Sequence, residues 1–417
     1  MATMSQAGAG KQRSARYQFI MVALLSLTFG VVFFDRNALG FLMPFIQPEL
    51  GLNNSQIGML ASALSLTWAV SAFVIGRLSD SLGKRKTLLI ASTVAFSLCS
   101  VLSGLAGSFA LLLGARLLMG AAEGGFMPIA HTMVAAEVSP KRRGLAQGIT
   151  QNFGSNLLGS FAAPVLLVGF ATMFGWREAF YLAGVPGLLC ALMMWFYLDE
   201  PAAPPKHDGP KASALEVLKN RNVLICVSLS VMLVSYLVIC WAFMPLFLTQ
   251  ERGIAPESMG WLMGSLGISA TIGSFVVSGL SDKFGRKPIM TLMPLLGLLL
   301  PFGALFFDGS LWVLAVFFFF GWGVNGIFPL FMATVPSESV DPRYVATALG
   351  LSMGLGEALG GVLAPSLAGV AADAVGLQAP IWIMAGLSLA SLVIALFLKE
   401  TAPSQVGKAA PVAAAAE

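Results

Sequence analysis

Apolar residues fill twelve long runs along the chain, and short polar segments separate them. A helix needs about 20 mostly apolar residues to cross a bilayer, and each run approaches or exceeds that length. The pattern therefore predicts twelve membrane-spanning helices, at residues 17–42, 55–76, 87–106, 109–135, 144–171, 178–198, 221–248, 258–279, 288–307, 310–335, 344–372 and 379–398. The first run contains Asp35 and Arg36 and has no small-residue cleavage site, which favours a retained helix over a signal peptide.

The composition supports a membrane protein and excludes several other classes. Of the 417 residues 57% are hydrophobic and 11% are charged, whereas a soluble domain carries about 25% charged residues. The four cysteines lie in apolar runs without CxxC spacing or histidine partners, so neither a metal site nor a disulfide framework is predicted. No catalytic constellation, phosphate loop or nucleic-acid patch is present, so we expect no enzyme, no cofactor and no nucleic-acid partner.

The basic residues predict the orientation of the chain. With the N-terminus placed inside, 20 of the 24 Lys and Arg residues fall on the inner side. Arg177 and Arg252 fall outside, while Arg36 and Arg116 lie within helices. The positive-inside rule then predicts two cytoplasmic termini and a multi-pass protein of the plasma (cell inner) membrane.

One polar, proline-rich stretch divides the chain. Residues 199–219 read DEPAAPPKHDGPKASALEVLK and predict a cytoplasmic linker. The predicted domains are therefore six-helix bundles at residues 1–198 and 220–400, followed by a disordered tail at 401–417.

The two halves repeat each other at an offset of about 202 residues. GRLSDSLGKRK at 76–86 parallels SGLSDKFGRK at 278–287, which pairs Asp80 with Asp282, Gly83 with Gly285 and Lys84 with Arg286. The glycine-rich stretch at 144–164 parallels that at 345–365 in the same register. Such a repeat implies two similar bundles with a substrate path between them near the midplane.

The loop motif has a physical interpretation as a gate. An acid at the inner end of a helix can accept hydrogen bonds from a neighbouring helix N-terminus and from arginines, but only while the inner side is closed. We therefore assign gating roles to Asp80 and Arg85, and to Asp282 and Arg286 in the second copy. The alternative is that the basic residues only anchor the loop at the membrane surface.

Twelve spans in two halves, with G-x-L-x-D-x-x-G-K-R-K between the second and third, resemble the major facilitator superfamily. The resemblance implies an all-α fold of two six-helix bundles that rock around a central site in alternating access.

Five charged residues lie inside the predicted spans away from their ends, at bilayer depth, where each costs at least about 2.5–3.5 kcal/mol and so suggests a function. They are Asp35, Arg36, Arg116, Glu123 and Glu357. Arg116 and Glu123 are seven residues apart and share a helix face. Asp35 and Arg116 lie at comparable depths, so we expect the two side chains to be able to meet across the cavity. A structural ion pair between the first and fourth spans is the alternative.

Asp35-Arg36 together with Arg116-x6-Glu123 resembles the anion:cation symporter branch, which includes sialic-acid, vesicular glutamate and sugar-acid carriers. The resemblance implies that Arg36 or Arg116 binds a substrate carboxylate and that Asp35 and Glu123 exchange protons. AAEVSPKRRG after the fourth span lacks the branch's aromatic-Pro pair, and Glu357 is an additional acid. A spinster-like lysolipid carrier shows a similar charge layout, so lysolipid-like or drug-like cargo is the alternative. The repeat argues against a non-transporting receptor.

Further polar and aromatic residues are candidates for the lining of the path. They are Gln151, Asn152 and Asn156 in the fifth span and Tyr236, Trp241 and Asn325 in the second half. Helix packing or interfacial anchoring is the alternative for each. For Glu357 we expect a cavity-facing second proton site or a contact to substrate hydroxyls, with a neutral acid joining two helices as the alternative.

These features together predict a monomeric secondary transporter that carries a small organic anion with protons. No Walker motif is present, so the energy must come from an ion gradient or from the substrate gradient itself.

Overall fold

The computed structural model describes residues 14–201, 214–341 and 344–405, and within them the fold is helical without strands. Twelve helices are long and apolar enough to cross a membrane, which confirms the predicted number. In chain order, α1 to α12 are Ala15–Leu50, Asn54–Ser79, Arg85–Gly104, Phe109–Glu137, Leu145–Phe174, Trp176–Tyr197, Arg221–Glu251, Pro256–Phe284, Arg286–Phe306, Leu311–Ser339, Thr347–Val375 and Gln378–Leu396.

The predicted linker and tail lie mostly outside the described residues. Within the linker the structure describes residues 199–201 and a short helix, Ala214–Leu218, whose Val217 is buried. At the other end, Ser404 and Gln405 donate side-chain hydrogen bonds to the carbonyl groups of Asp282 and Lys283. The first residues after α12 therefore pack onto the C-terminal half, which comprises α7–α12.

A glycine ends the helix at both copies of the repeated loop motif. The helix of α2 continues beyond the membrane span to Leu82 and is followed by Gly83, whose φ is 65°. Helix α8 is followed by Gly285, whose φ is 107°. Only glycine adopts these angles without strain. The second loop is one residue shorter, so Arg85 and Arg286, rather than Lys84 and Arg286, occupy the first position of the following helix.

Several helices contain π-helical turns in their middle or at their ends. Such turns widen the helix locally and occur often at functional sites. They cover Ile149–Phe153 and Ser155–Ala162 in α5, Phe247–Glu251 in α7, Leu330–Thr334 in α10 and Gly356–Gly361 in α11. The segments in α5 and α11 coincide with the paired glycine-rich stretches of the repeat.

The two halves, α1–α6 and α7–α12, meet at one end of the molecule. We call the end that carries residues 14 and 397–405 the terminal face, and the end that carries the connections 51–53 and 376–377 the distal face. Near the distal face Asp373 accepts hydrogen bonds from the backbone N–H groups of Asn54 and Ser55, both at 2.8 Å. These bonds cap the start of α2 with a carboxylate from α11, which is a favourable arrangement at a helix N-terminus.

Glycines allow the two halves to approach very closely there. A Cβ atom added at Gly58 of α2 would lie 2.2 Å from the carbonyl oxygen of Pro365, and one added at Gly369 of α11 would lie 2.4 Å from that of Asn54. No larger residue fits at either position without separating α2 from α11. Among the described residues, every hydrogen bond between the two halves lies either at the middle of the helices or between the middle and the distal face. The distal face is therefore closed.

This closure predicts a disulfide that locks the carrier. Ser62 Oγ of α2 and Ser366 Oγ of α11 lie 2.7 Å apart, so the two side chains point at each other and cysteines at these positions would bring their sulfur atoms close to bonding distance. We expect a Ser62→Cys/Ser366→Cys variant, oxidised with copper phenanthroline, to lose transport by at least about tenfold and to regain it with dithiothreitol. Each single Cys variant is the control. Full transport by the cross-linked protein would show that the distal face need not open.

Candidate functional site

An ion pair links the two halves near the middle of the membrane-spanning region. Arg36 Nη2 of α1 lies 3.0 Å from Glu357 Oε1 of α11, and the side chains are 15% and 18% exposed. This is the one ion pair between the halves among the described residues. Both residues are candidates from the sequence, but the sequence did not predict that they pair.

Aromatic side chains surround the Arg36 guanidinium. Its Cζ lies 5.7 Å from the ring centre of Phe33 and 5.3 Å from that of Trp68, distances typical of cation–π contacts. Ser65 Oγ accepts a long hydrogen bond of 3.5 Å from Nη2. These neighbours hold the charged group in place without neutralising it. Ser65 and Trp68 lie three residues apart on one face of α2. The sequence alone did not identify them as neighbours of Arg36, because it does not show which face of α2 packs against α1.

Next to Arg36, the preceding residue lies in the interior of the N-terminal half. Asp35 is fully buried, and its Oδ1 accepts a hydrogen bond of 2.7 Å from Ser100 Oγ of α3. Its Oδ2 accepts none from the described residues. Consecutive residues on a helix point about 100° apart, so Asp35 faces the bundle while Arg36 faces the opposite half.

Glu123 of α4 is 1% exposed, and neither of its carboxylate oxygens accepts a hydrogen bond within the described part of the chain. Arg36, Asp35 and Arg116 are the charged groups that act on it electrostatically. A buried polar atom without a partner costs about 1–3 kcal/mol. An unpartnered carboxylate therefore suggests a functional site, where a proton or a ligand supplies the missing partner.

Arg116 is fully buried inside the N-terminal half rather than exposed to the space between the halves. Its guanidinium contacts Met119 Sδ and Ser103 Oγ, both at 3.4 Å, and lies 5.3 Å from the ring centre of Phe180. It interacts with Asp35 electrostatically, but no direct ion pair joins them. In this conformation Arg36, and not Arg116, is the arginine that solvent reaches at the junction of the halves.

The polar residues of α5 lie beside its π-helical turns. Gln151, Asn152 and Asn156 are half-buried, and Ser155 Oγ bonds to the carbonyl groups of Gln151 and Asn152 at 2.6 and 3.3 Å. The three amide side chains make no hydrogen bond with another described side chain. Their amide groups therefore keep free hydrogen-bonding capacity toward the other described side chains.

The candidates in the second half form an aromatic cluster. Tyr236 is buried and donates a hydrogen bond of 2.9 Å to the Gly297 carbonyl group. The ring of Trp322 lies 6.0 Å from that of Tyr236 and 5.0 Å from that of Trp241. Asn325 is half-buried and donates to the Trp322 carbonyl group at 3.2 Å. Trp241 and Asn325 are half-buried, whereas Tyr236 is buried.

The gating candidates Asp282 and Arg286 connect helices of the C-terminal half to one another. Arg286 Nη1 pairs with Asp282 Oδ1 at 2.5 Å, and Arg286 Nη2 pairs with Glu338 Oε1 at 3.0 Å. In the first copy Arg85 is buried, while the side chain of Asp80 lies outside what the structure describes. Glu338, at the end of α10, was not a candidate from the sequence, although Glu137 occupies the matching place in the repeat.

A further acid, Glu400, caps the start of α9. Its carboxylate accepts backbone hydrogen bonds from Arg286 and Lys287 at 2.8 and 3.1 Å, and from Thr401 and Ala402 at 3.0 and 2.9 Å. Partial burial acts to raise the pKa of the Glu400 carboxyl, but these four donors outweigh it and hold the pKa below its usual range. Glu400 therefore fastens the end of the C-terminal half to the loop motif.

A Glu400→Gln substitution is expected to destabilise the protein by about 0.5–2 kcal/mol at pH 7, the range for a helix cap. A group with a lowered folded-state pKa stabilises above its unfolded pKa, and the contribution is lost as the pH falls through the folded value. Thermal unfolding in detergent should therefore show a difference in stability between wild type and variant at pH 7 that narrows as the pH falls below the usual pKa of a glutamate carboxyl. Exposed Glu216→Gln is the control. A gap independent of pH would contradict this role of the charge.

Known transporters resemble this chain over between half and nine-tenths of its length. It is 28% identical to a hexuronate transporter of Bacillus subtilis over 408 residues, which cover 91% of this chain and 94% of the relative. It is 32% identical to a probable sulfoacetate transporter of Cupriavidus necator over 212 residues, or 51% of this chain and 48% of that relative. A multidrug resistance protein of Dickeya zeae is 28% identical over 300 residues, covering 68% and 72%.

The fold also matches a solved structure. A bacterial homolog of the human lysosomal transporter Spinster, in an inward-facing and occupied conformation, superposes with a TM-score of 0.72 at 22% identity, covering 93% of this chain and 95% of that one. The family model of the Major Facilitator Superfamily matches twice, at residues 25–243 and 237–415, once for each half of the repeat. The chain therefore belongs to the Major Facilitator Superfamily, a family of integral membrane transporters, and is not an enzyme.

Proposed function

We propose that this protein is a proton-coupled symporter of a small organic anion. The observation that carries the proposal is the position of Arg36, which presents a cation between the halves while Asp35 and Glu123 lie buried beside it. A guanidinium offers a planar fork of donors that matches a carboxylate. Adjacent buried acids can then bind the protons that accompany the anion.

The relatives support an anion as cargo. Two of them are named as transporters of hexuronate and sulfoacetate, which are both organic acids. We infer that the anionic group of the substrate binds Arg36. The half-buried amides Gln151, Asn152 and Asn156 would contact its polar remainder from α5, and Trp241 and Asn325 would contact it from the C-terminal half.

The unpartnered oxygens of Glu123 and Asp35 support proton coupling. A carboxylate oxygen without a donor is a place where a proton can bind without displacing an existing hydrogen bond. Arg36 acts on Glu123 electrostatically, so an anion bound to Arg36 favours a proton on Glu123. This relation would make the binding of anion and proton mutually favourable, as symport requires.

The distribution of basic residues supports a cytoplasmic position of the terminal face. With the distal face closed, we infer an inward-facing state, from which the anion and its protons would be released into the cell. Opening the distal face requires breaking the α2–α11 contacts and the Asp373 cap.

A second candidate is a carrier of drug-like or lysolipid-like molecules, which the similarity to a multidrug resistance protein favours. The aromatic surroundings of Arg36 are compatible with apolar cargo, but a buried cation would be costly for a carrier of neutral molecules.

Proton movement in proteoliposomes separates the two functions. Vesicles are loaded with the pH indicator pyranine, and D-galacturonate is added outside at equal pH on both sides. Symport predicts acidification inside that depends on the protein and on galacturonate. Galacturonate uptake without acidification would contradict proton coupling. If galacturonate is not transported but a lipophilic dye is, the second candidate is correct.

A further inference from the structure

Glu357 belongs to neither the proton sites nor the anion ligands of the proposed cycle, yet its carboxylate lies on Arg36. The contact joins one guanidinium nitrogen to one oxygen, Nη2 to Oε1, at 3.0 Å. Within the described part of the chain, Arg36 Nη1 and Nε and Glu357 Oε2 make no hydrogen bond. The pair is thus end-on and leaves most of the arginine fork unused.

We propose that Glu357 is a built-in competitor that holds the anion site of Arg36 until a substrate carboxylate displaces it. The inference rests on the proposed function, because it assumes that Arg36 binds the anion. A ligand that engages two nitrogens of the fork makes two parallel charge-assisted bonds where Glu357 makes one. A ligand that adds further contacts to these two bonds can displace Glu357, whereas a weaker anion cannot, so the glutamate sets the affinity that a substrate must exceed.

The local structure of α11 gives the Glu357 side chain room at this position. Glu357 is the second residue of the π-helical segment Gly356–Gly361. A Cβ atom at Gly361 would lie 3.0 Å from Glu357 Oε1 and 3.3 Å from Ser65 Oγ. A side chain at 361 would therefore press on both the carboxylate and α2, and glycine keeps the carboxylate on Arg36.

Displacement of Glu357 also has a mechanical consequence. The pair is the link between α1 and α11 at mid-helix, whereas the other hydrogen bonds between the halves lie nearer to the distal face. When a substrate takes Arg36, this link is lost. A loaded carrier would then have one fewer contact to break when its halves separate.

Substitution of Glu357 tests the competition. Glu357→Gln retains the size of the side chain but removes the charge, so D-galacturonate should bind about tenfold more tightly by isothermal titration calorimetry in detergent. Acetate has a carboxylate but no hydroxyl groups for the surrounding polar side chains, so it should compete with galacturonate in Glu357→Ala but not in the wild type. Glu49→Gln, which removes an acid paired with Arg177 at the distal face, is the matched control.

The outcomes separate the two proposals. Unchanged or weaker galacturonate binding in Glu357→Gln, together with loss of binding in Arg36→Ala, would overturn the competition and leave the anion site intact. Normal binding in Arg36→Ala would overturn the proposed function itself. Tighter binding in Glu357→Gln and loss in Arg36→Ala is the result that both proposals expect.

Discussion

Replacement of Arg36 by Lys is expected to abolish measurable uptake of D-galacturonate and to weaken its binding about 30- to 100-fold. A lysine keeps the charge but loses the planar fork, and its compact ammonium group does not stack between Phe33 and Trp68 as the guanidinium does. Loss of hydrogen bonds to a charged group costs about 1.5–3 kcal/mol, and each 1.4 kcal/mol corresponds to a factor of about ten in affinity.

Calorimetric titration and uptake into proteoliposomes measure the two effects. Arg77→Lys is the matched control, because Arg77 is exposed near the terminal face and stacks on Phe73 with its Cζ 4.3 Å from the ring centre. That control should bind and transport normally. If Arg36→Lys bound galacturonate within twofold of wild type, the planar fork of Arg36 would not contribute to anion binding, which would contradict the bidentate contact proposed here.

Replacement of Glu123 by Gln is expected to abolish accumulation driven by a proton gradient while exchange of galacturonate across the membrane continues. The amide has the size of the acid but cannot take up a proton. Wild-type Glu123 is buried without a hydrogen-bond partner among the described residues. Since the substitution leaves Arg36 in place, the anion should still bind and cross, but without its proton.

Two transport assays distinguish these activities. Uptake into vesicles with an acidic outer buffer should fall to the level of empty vesicles, whereas exchange of internal for external labelled galacturonate should remain within about threefold of wild type. Glu257→Gln, which changes an exposed acid at the distal end of α8, serves as the control. Gradient-driven accumulation by Glu123→Gln at the wild-type level would exclude this residue as the proton site.

The helices could be predicted from the sequence because hydropathy is a local property. Each run of about 20 apolar residues must form a helix in a membrane, since the backbone has no water to bond with there. The repeat placed the two loop motifs correctly, apart from the shift that aligns Arg85 with Arg286. The difference arises because one residue, Gly285, connects α8 to α9, whereas two residues connect the corresponding helices in the first half. An alignment of the halves at a constant offset of 202 residues cannot represent this missing residue.

The contacts between helices could not be predicted in the same way. Arg36 and Glu357 are 321 residues apart, and their pairing depends on how α1 and α11 are rotated about their own axes. The π-helical turn at Gly356–Gly361 changes that rotation by a fraction of a turn. No periodicity argument based on 3.6 residues per turn predicts the direction of a side chain beyond such a segment.

Arg116 illustrates the same limit. Its spacing of seven residues from Glu123 indicates a shared face, and both side chains are indeed buried in the N-terminal half. The sequence did not show whether that face lines the space between the halves or the interior of one bundle. Packing against Phe180 and Ser103 decides it, and these residues come from α6 and α3.

Proton-coupled symport requires that an imposed proton gradient drive the accumulation of an organic anion. Purified protein is reconstituted in vesicles at internal pH 7.5 with the membrane potential clamped by potassium and valinomycin, and labelled D-galacturonate is supplied at external pH 6.0. We expect galacturonate to rise inside above its external concentration, and we expect nigericin, which collapses the pH difference, to return it to equilibrium. Equal uptake with and without the pH difference would contradict proton coupling.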